Sequence, residues 1–350
     1  MHKNLSTTCL SLLLAWAAST AHAEMAVGGF SFAPNPGHPI RFFSANAQGG
    51  DAPIGLIDGP DTQLETPSFG IYEPQEQVIY VSDFFGQALR VYPAFTRGNV
   101  APIRVLNPPL LSQTRASAPI PAHGELAVIA GNCCIDIYPL QASGSGAIRL
   151  RGIAWGGGSS GSATELDNPQ ALHYLPATDE LVVVDGNRVL FHARTAGWYD
   201  APTRRITGAF VQGASGLAHD PVAHRLFVLT QEPYDGSQSV LHGRIAVFDE
   251  SASGEATPLY TIEGSNSELD RPPGEYFYGI GFDPYLRRLM VSSSGSSNNP
   301  ALNRLVVFDA TASGNATPLQ QLAGSNVSAY TVGTPFGVPP ERIFADGFDP

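Results

Sequence analysis

Two stretches of the chain are nearly the same sentence: RIAVFDESASGEATPLYTIEGSN at residues 244–266 and RLVVFDATASGNATPLQQLAGSN at 304–326. A phrase of this length that recurs means one supersecondary unit is built more than once, and such a unit buries its apolar faces only against copies of itself. Weaker copies lie upstream: IRFFSANAQGGDAPIGLIDG (40–59), ALRVYPAFTRGNVAPIRVL (88–106), CIDIYPLQASGSGAIRLRGI (134–153) and RVLFHARTAGWYDAPTRRITG (188–208). The six copies are spaced by roughly fifty residues, the length of a propeller blade.

Between the copies a second pattern recurs, in FGIYEPQEQVIYVSD (69–83), QALHYLPATDELVVVDG (170–186), SGLAHDPVAHRLFVLT (215–230) and YGIGFDPYLRRLMVSS (278–293). Each reads as a hairpin: a strand of small and apolar residues, a turn that usually holds proline, and an alternating strand such as Val78-Ile79-Tyr80-Val81. One unit is therefore four antiparallel strands, and the expected fold is an all-β, six-bladed β-propeller. Five continuous blades begin near Phe69, Ala118, Gln170, Gly216 and Gly279. The last copy stops at TPFGVPP (334–340) without its second strand, while GGFSFAPNPGHPIRFF (28–43) precedes the first copy, so both chain ends are expected to complete the sixth blade. The 37 glycines and 29 prolines suit many short strands joined by tight turns.

These phrases resemble the NHL or YVTN type of six-bladed propeller found in exported bacterial proteins, where G-x-x-x-P-x-x-x-I-x-G and P-x-G-I-x-x-D-P recur. The resemblance spans nearly all of 24–340; SAPIPAHGELAVIAG (117–131) departs most, having lost the leading glycine and the D-P turn. It implies the fold and little about function, because such propellers serve as binding scaffolds, lactonase-like hydrolases and lyases.

Residues 1–23 read as a signal peptide, with basic Lys3, the apolar run LSLLLAWAA and small residues at Ala21 and Ala23 ahead of the cleavage point. A periplasmic or extracellular protein is expected, with no membrane span in the mature chain. Cleavage would remove Lys3, the sole lysine, and with it any lysine Schiff-base chemistry. The net charge of −12 with no basic cluster argues against a nucleic-acid partner; a protein, peptide or saccharide partner and a monomeric state are expected. Residues 341–350 form a tail whose IFADGFDP resembles a short C-terminal segment of some exported proteobacterial proteins, and otherwise reads as a terminal strand or frayed end.

No catalytic constellation stands out. His173 and His219 fall on inner strands and can face the central channel as a base or ligand, or each merely satisfies a hydrogen bond in a crowded channel. Cys133-Cys134 is either a vicinal disulfide or two thiols in the turn before the third strand of blade 2. Strand parity separates the rims: one carries the D-P turns and the A-S-G phrases, and the other carries irregular loops such as 231–243, 265–277 and 155–168. Recognition is expected on the irregular rim, with Tyr234, His242, Glu275 and Trp155 as candidate ligand contacts. The phrases QLETP (63–67), ELDNP (165–169) and ELDRP (268–272) place Glu65, Asp167 and Asp270 before alternate blades. They either ring one channel mouth around a cation such as Ca²⁺ or serve their own turns. A binding scaffold is the leading expectation, and a metal-assisted hydrolase or lyase at the channel mouth is the alternative.

Overall fold

Turns of a few residues leave no chain for a crossover, so each strand must pair with the one before it. In a computed structural model, which describes residues 24–30, 38–154, 163–233, 236–295, 299–328 and 331–339, this is what happens. Val78–Asp83 lies antiparallel between Pro67–Glu73 and Ala88–Pro93, and Arg104–Leu106 completes the sheet. Blades 2 to 5 repeat the order, with inner strands Ser117–Ile120, Pro169–Leu175, Ala214–Asp220 and Glu275–Asp283 and outer strands Arg151–Ala154, Arg204–Ile206, Tyr260–Glu263 and Gln320–Ala323. The ring is a six-bladed β-propeller. The helices among the described residues are three-residue 3-10 turns, and none is long and apolar enough to cross a membrane.

The sixth blade is closed by both ends of the chain: Phe336–Val338 is its inner strand, followed outward by Glu24–Val27, Ile40–Ser44 and Gly55–Ile57. The second strand thus lies ahead of 28–43, where the sequence pattern put it. Met25, Ala26 and Val27 are all buried, as a strand packed on both faces requires, and Gly29–Phe30 instead forms a small ladder with Thr331–Val332. Closure needs room at the channel. A Cβ on Gly281 would lie 2.0 Å from the Pro335 carbonyl oxygen, and one on Gly70 would lie 2.2 Å from the Phe336 ring, which explains the glycines of the inner-strand phrase.

Buried apolar residues form a cluster at every junction between consecutive blades. The third strands supply one recurrent knob per blade: Phe43, Tyr92, Tyr138, His192, Phe248 and Phe308, each at most 1% exposed. The aspartates that follow the last two knobs turn the chain, Asp249 accepting from the Ser251 N–H at 3.0 Å and Asp309 from the Thr311 N–H at 2.8 Å.

The A-S-G phrase then reaches across the junction. Gly98, Gly144, Gly254, Gly314 and Gly49 each form a backbone bridge to the outer strand of the preceding blade, with N–H···O distances of 2.6–2.7 Å. These glycines have positive φ, between 57° and 89°, which L side chains adopt only at a cost. At the junction of blades 2 and 3 Trp198 takes the place of the glycine, its carbonyl accepting from the Ala154 N–H at 3.2 Å while Arg149 stacks on its ring.

Candidate functional site

The connectors that dive toward the channel are built by a local device. In blade 1 the buried Thr62 hydroxyl donates to the Gly59 carbonyl, Gln63 takes a left-handed φ of 59°, and Leu64 drops into the core. Glu165-Leu166 and Glu268-Leu269 repeat it, with φ of 58° and 57° and both leucines buried. The recurrent phrase is therefore an anchor whose essential side chains are the hydroxyl and the leucine.

The acids that follow those leucines do not share one environment. Glu65 and Asp167 are exposed; their backbone N–H groups donate to the buried carboxylates of Asp83 (2.9 Å) and Asp185 (2.7 Å) at the end of each second strand. Asp83 also accepts from the Thr66 N–H and from Arg90. Asp83 and Asp185 were not singled out from the sequence, although both stand at the same place in VIYVSD and LVVVD. In blade 5 the inner strand starts five positions after Asp270, whereas Pro67 and Pro169 follow their acids by two, so Asp270 is carried elsewhere. No group of three or more His, Cys, Asp or Glu side chains placed to hold a metal occurs among the described residues.

Asp270 meets His242 instead, Oδ1 to Nδ1 at 3.0 Å. The pair comes from two irregular loops that are stitched together: the Leu241 N–H donates to the Arg271 carbonyl (2.7 Å) and the Arg271 N–H returns to the Leu241 carbonyl (2.9 Å). Around them lies a cavity of about 390 Å³ on the irregular rim of blade 4, with Glu232, Arg244 and Glu263 in its wall. Burial would raise the Glu263 carboxyl, but bonds from Thr261 and Arg244 outweigh it and hold Glu263 below the usual glutamate range. Three carboxylates against one guanidinium and one imidazole give the cavity an acidic character.

Glu275 does not reach this surface. It is 4% exposed, with Oε2 4.0 Å from the Arg271 Nε, and both atoms lack hydrogen-bond partners among the described residues. Burial, together with nearby Arg304, brings Arg271 down to about 10. Tyr234 and Trp155 lie outside the described residues, as do residues 1–23 and the tail 341–350. Cys133 and Cys134 form a disulfide, half-buried in the turn between the second and third strands of blade 2.

The channel holds a second cavity, of about 410 Å³, reaching the opposite rim at the turns of Pro74, Pro221 and Pro284. Phe69, Ile71, Tyr72, Ile280, Phe282 and Phe336 make its wall largely apolar. His173 and His219 both face it: the Nε2 of His173 lies 3.0 Å from the Leu217 carbonyl, and that of His219 lies 3.0 Å from Oε2 of buried Glu250. The other oxygen of Glu250 is 2.6 Å from Nδ1 of His224. Burial, with the neighbouring His219, pushes His173 down to about 4; burial also lowers His219 despite Glu250.

No family model matches the chain, and no curated protein sequence matches it. Among solved structures, the crystal structure of a nidogen/laminin complex is similar over 90% of this chain and 98% of that chain, with a TM-score of 0.55 and 11% identity. A hydrazine synthase structure from Kuenenia stuttgartiensis is similar over 69% of this chain at 14% identity and a TM-score of 0.45; the match covers 63% of that chain, less than two thirds of its length. At these identities the likeness is one of fold.

Proposed function

We propose that the chain is an exported binding propeller whose ligand is taken on the irregular rim, at the cavity of blade 4. The observation that carries this reading is the His242–Asp270 pair: two loops of the irregular rim are tied together so that their polar side chains converge over a cavity of about 390 Å³. The excess of carboxylates there favours a ligand rich in hydrogen-bond donors or positive charge, such as a basic peptide or an amino sugar. Export is supported by the signal-like residues 1–23 and by the Cys133–Cys134 disulfide, which suits an oxidising compartment. Among the described residues every strand of the ring lies within 24–338, directly after the expected cleavage point. Membership of the NHL or YVTN type is part of the proposal and rests on the repeated phrases.

The test is a peptide and glycan panel read with the wild type, Asp270→Asn, His242→Ala and, on the opposite rim, Tyr285→Ala. Binding that is lost in the first two variants and kept in the third supports the reading. Binding lost only in Tyr285→Ala, or untouched by all three, overturns it.

A further inference from the structure

We propose that the channel is a second, separate binding site, for a small uncharged ligand with an apolar body and one hydrogen-bond donor, of which a phenol is the simplest example. Its cavity of about 410 Å³ falls in the ~300–1,000 Å³ range of small-molecule sites and is built mainly from inner-strand residues, with the turns of Pro74, Pro221 and Pro284 at its rim. Among the described residues no Asp, Glu, Lys or Arg lines it, so a charged ligand would meet no counter-charge from them. Tyr72 and Tyr285 stand at the mouth with ring centroids 6.3 Å apart and tilted 58°, offering apolar faces to a flat guest.

Apart from the hydroxyls of Tyr72 and Tyr285 at the mouth, the polar side chains of the wall are His173, His219 and Thr334. The Leu217 carbonyl accepts and cannot donate, so the Nε2 of His173 must carry the proton, and in a neutral ring its Nδ1 is a lone pair. The Glu250 carboxylate fixes the same tautomer on His219. The Thr334 hydroxyl, which also lines the cavity, donates its one proton to the Tyr278 carbonyl and so can only accept a further bond. These side chains therefore present acceptors, and the ligand group that matches them is a donor. The depressed proton affinities of both histidines keep the acceptors neutral at neutral pH. This site lies on the rim opposite the His242–Asp270 cavity, so it stands or falls independently of the proposed function.

Calorimetric titration of the full chain with 4-propylphenol and with 4-propylanisole, which lacks the donor, tests the proposal. The phenol is expected to bind roughly tenfold more tightly than the anisole, the value of one desolvated hydrogen bond. His173→Phe is expected to narrow that ratio. Ile71→Trp, which fills the cavity, is expected to abolish both, with far-ultraviolet circular dichroism confirming the fold. Tyr285→Ala, at a mouth residue that is 45% exposed and outside the core, is the second variant and is expected to weaken both ligands. Asp270→Asn should change neither. Equal binding of the two probes, no binding of either to the folded wild type, or loss of phenol binding in Asp270→Asn would each overturn the site; so would Zn²⁺ uptake dependent on His173 without any phenol binding.

Discussion

The backbone N–H of Gly254 donates to the carbonyl of Arg205 in the preceding blade at 2.7 Å, and the Thr207 N–H returns to the Gly254 carbonyl at 2.9 Å. This two-bond clasp recurs, in whole or in part, at all six junctions, Trp198 keeping one bond of it between blades 2 and 3, and it is why the chain writes the same phrase so often. The repeat encodes the fastening between sheets. Gly254 has φ of 68° with open space where a Cβ would stand, so a substitution there meets backbone strain rather than a clash. Gly254→Ala is expected to lower stability by about 1 kcal/mol, and Gly254→Pro, which also deletes the donor, by roughly 3 kcal/mol, both measured by urea denaturation.

The buried Arg271–Glu275 pair makes an opposite kind of prediction, because its two partners are matched in charge but poorly bonded. Arg271→Met leaves Glu275 buried and uncompensated, and is expected to lower stability by about 3 kcal/mol. The double variant Arg271→Met, Glu275→Leu should recover most of that loss. A double variant no better than the single would mean the pair is needed for packing rather than for mutual neutralisation.

How much of this was legible in the sequence depends on which residues carried the pattern. Strand order, the six units and the blade shared by both ends follow from phrases that recur, since every sheet needs the same knob and turn. His192 was legible in the same way, standing where other copies have Tyr or Phe. The Glu24–Val27 strand was not, because four apolar-rich residues next to a signal-like run carry no periodicity of their own. The connector phrase recurs for a physical reason: it places a hydroxyl, a left-handed residue and a leucine, and the carboxylate that follows is free to differ. The apolar channel cavity assembles from inner-strand residues between Phe69 and Gly337, and no local pattern announces it.

His192 also predicts a pH dependence. It is fully buried, neither ring nitrogen has a partner among the described residues, and burial lowers it from 6.5 to about 4 although Asp200 and Glu180 oppose the shift. The unfolded chain therefore binds the extra proton first. Stability from this group is fully present above about pH 7 and is lost as pH falls from 6.5 toward 4, by up to about 3 kcal/mol. His173, lowered to about 4 as well, adds to the same slope. His192→Leu should flatten the fall in melting temperature between pH 6.5 and pH 4; an unchanged slope would remove His192 from the account.

The disulfide between Cys133 and Cys134 predicts a chemical signature. Protein lacking residues 1–23, and with them Cys9, should take up no maleimide when denatured without reductant and two when denatured after reduction, one each at Cys133 and Cys134. Two labels without reduction would show free thiols.

Recognition on the irregular rim is tested most directly by hydrogen–deuterium exchange, with and without the tightest ligand from the peptide and glycan panels. Slowed exchange at residues 236–243 and 265–274, with the A-S-G turns at 250–257 and 310–317 unchanged, is the predicted result. Protection confined to those turns or to the D-P turns at 221–224 and 284–287 would contradict it.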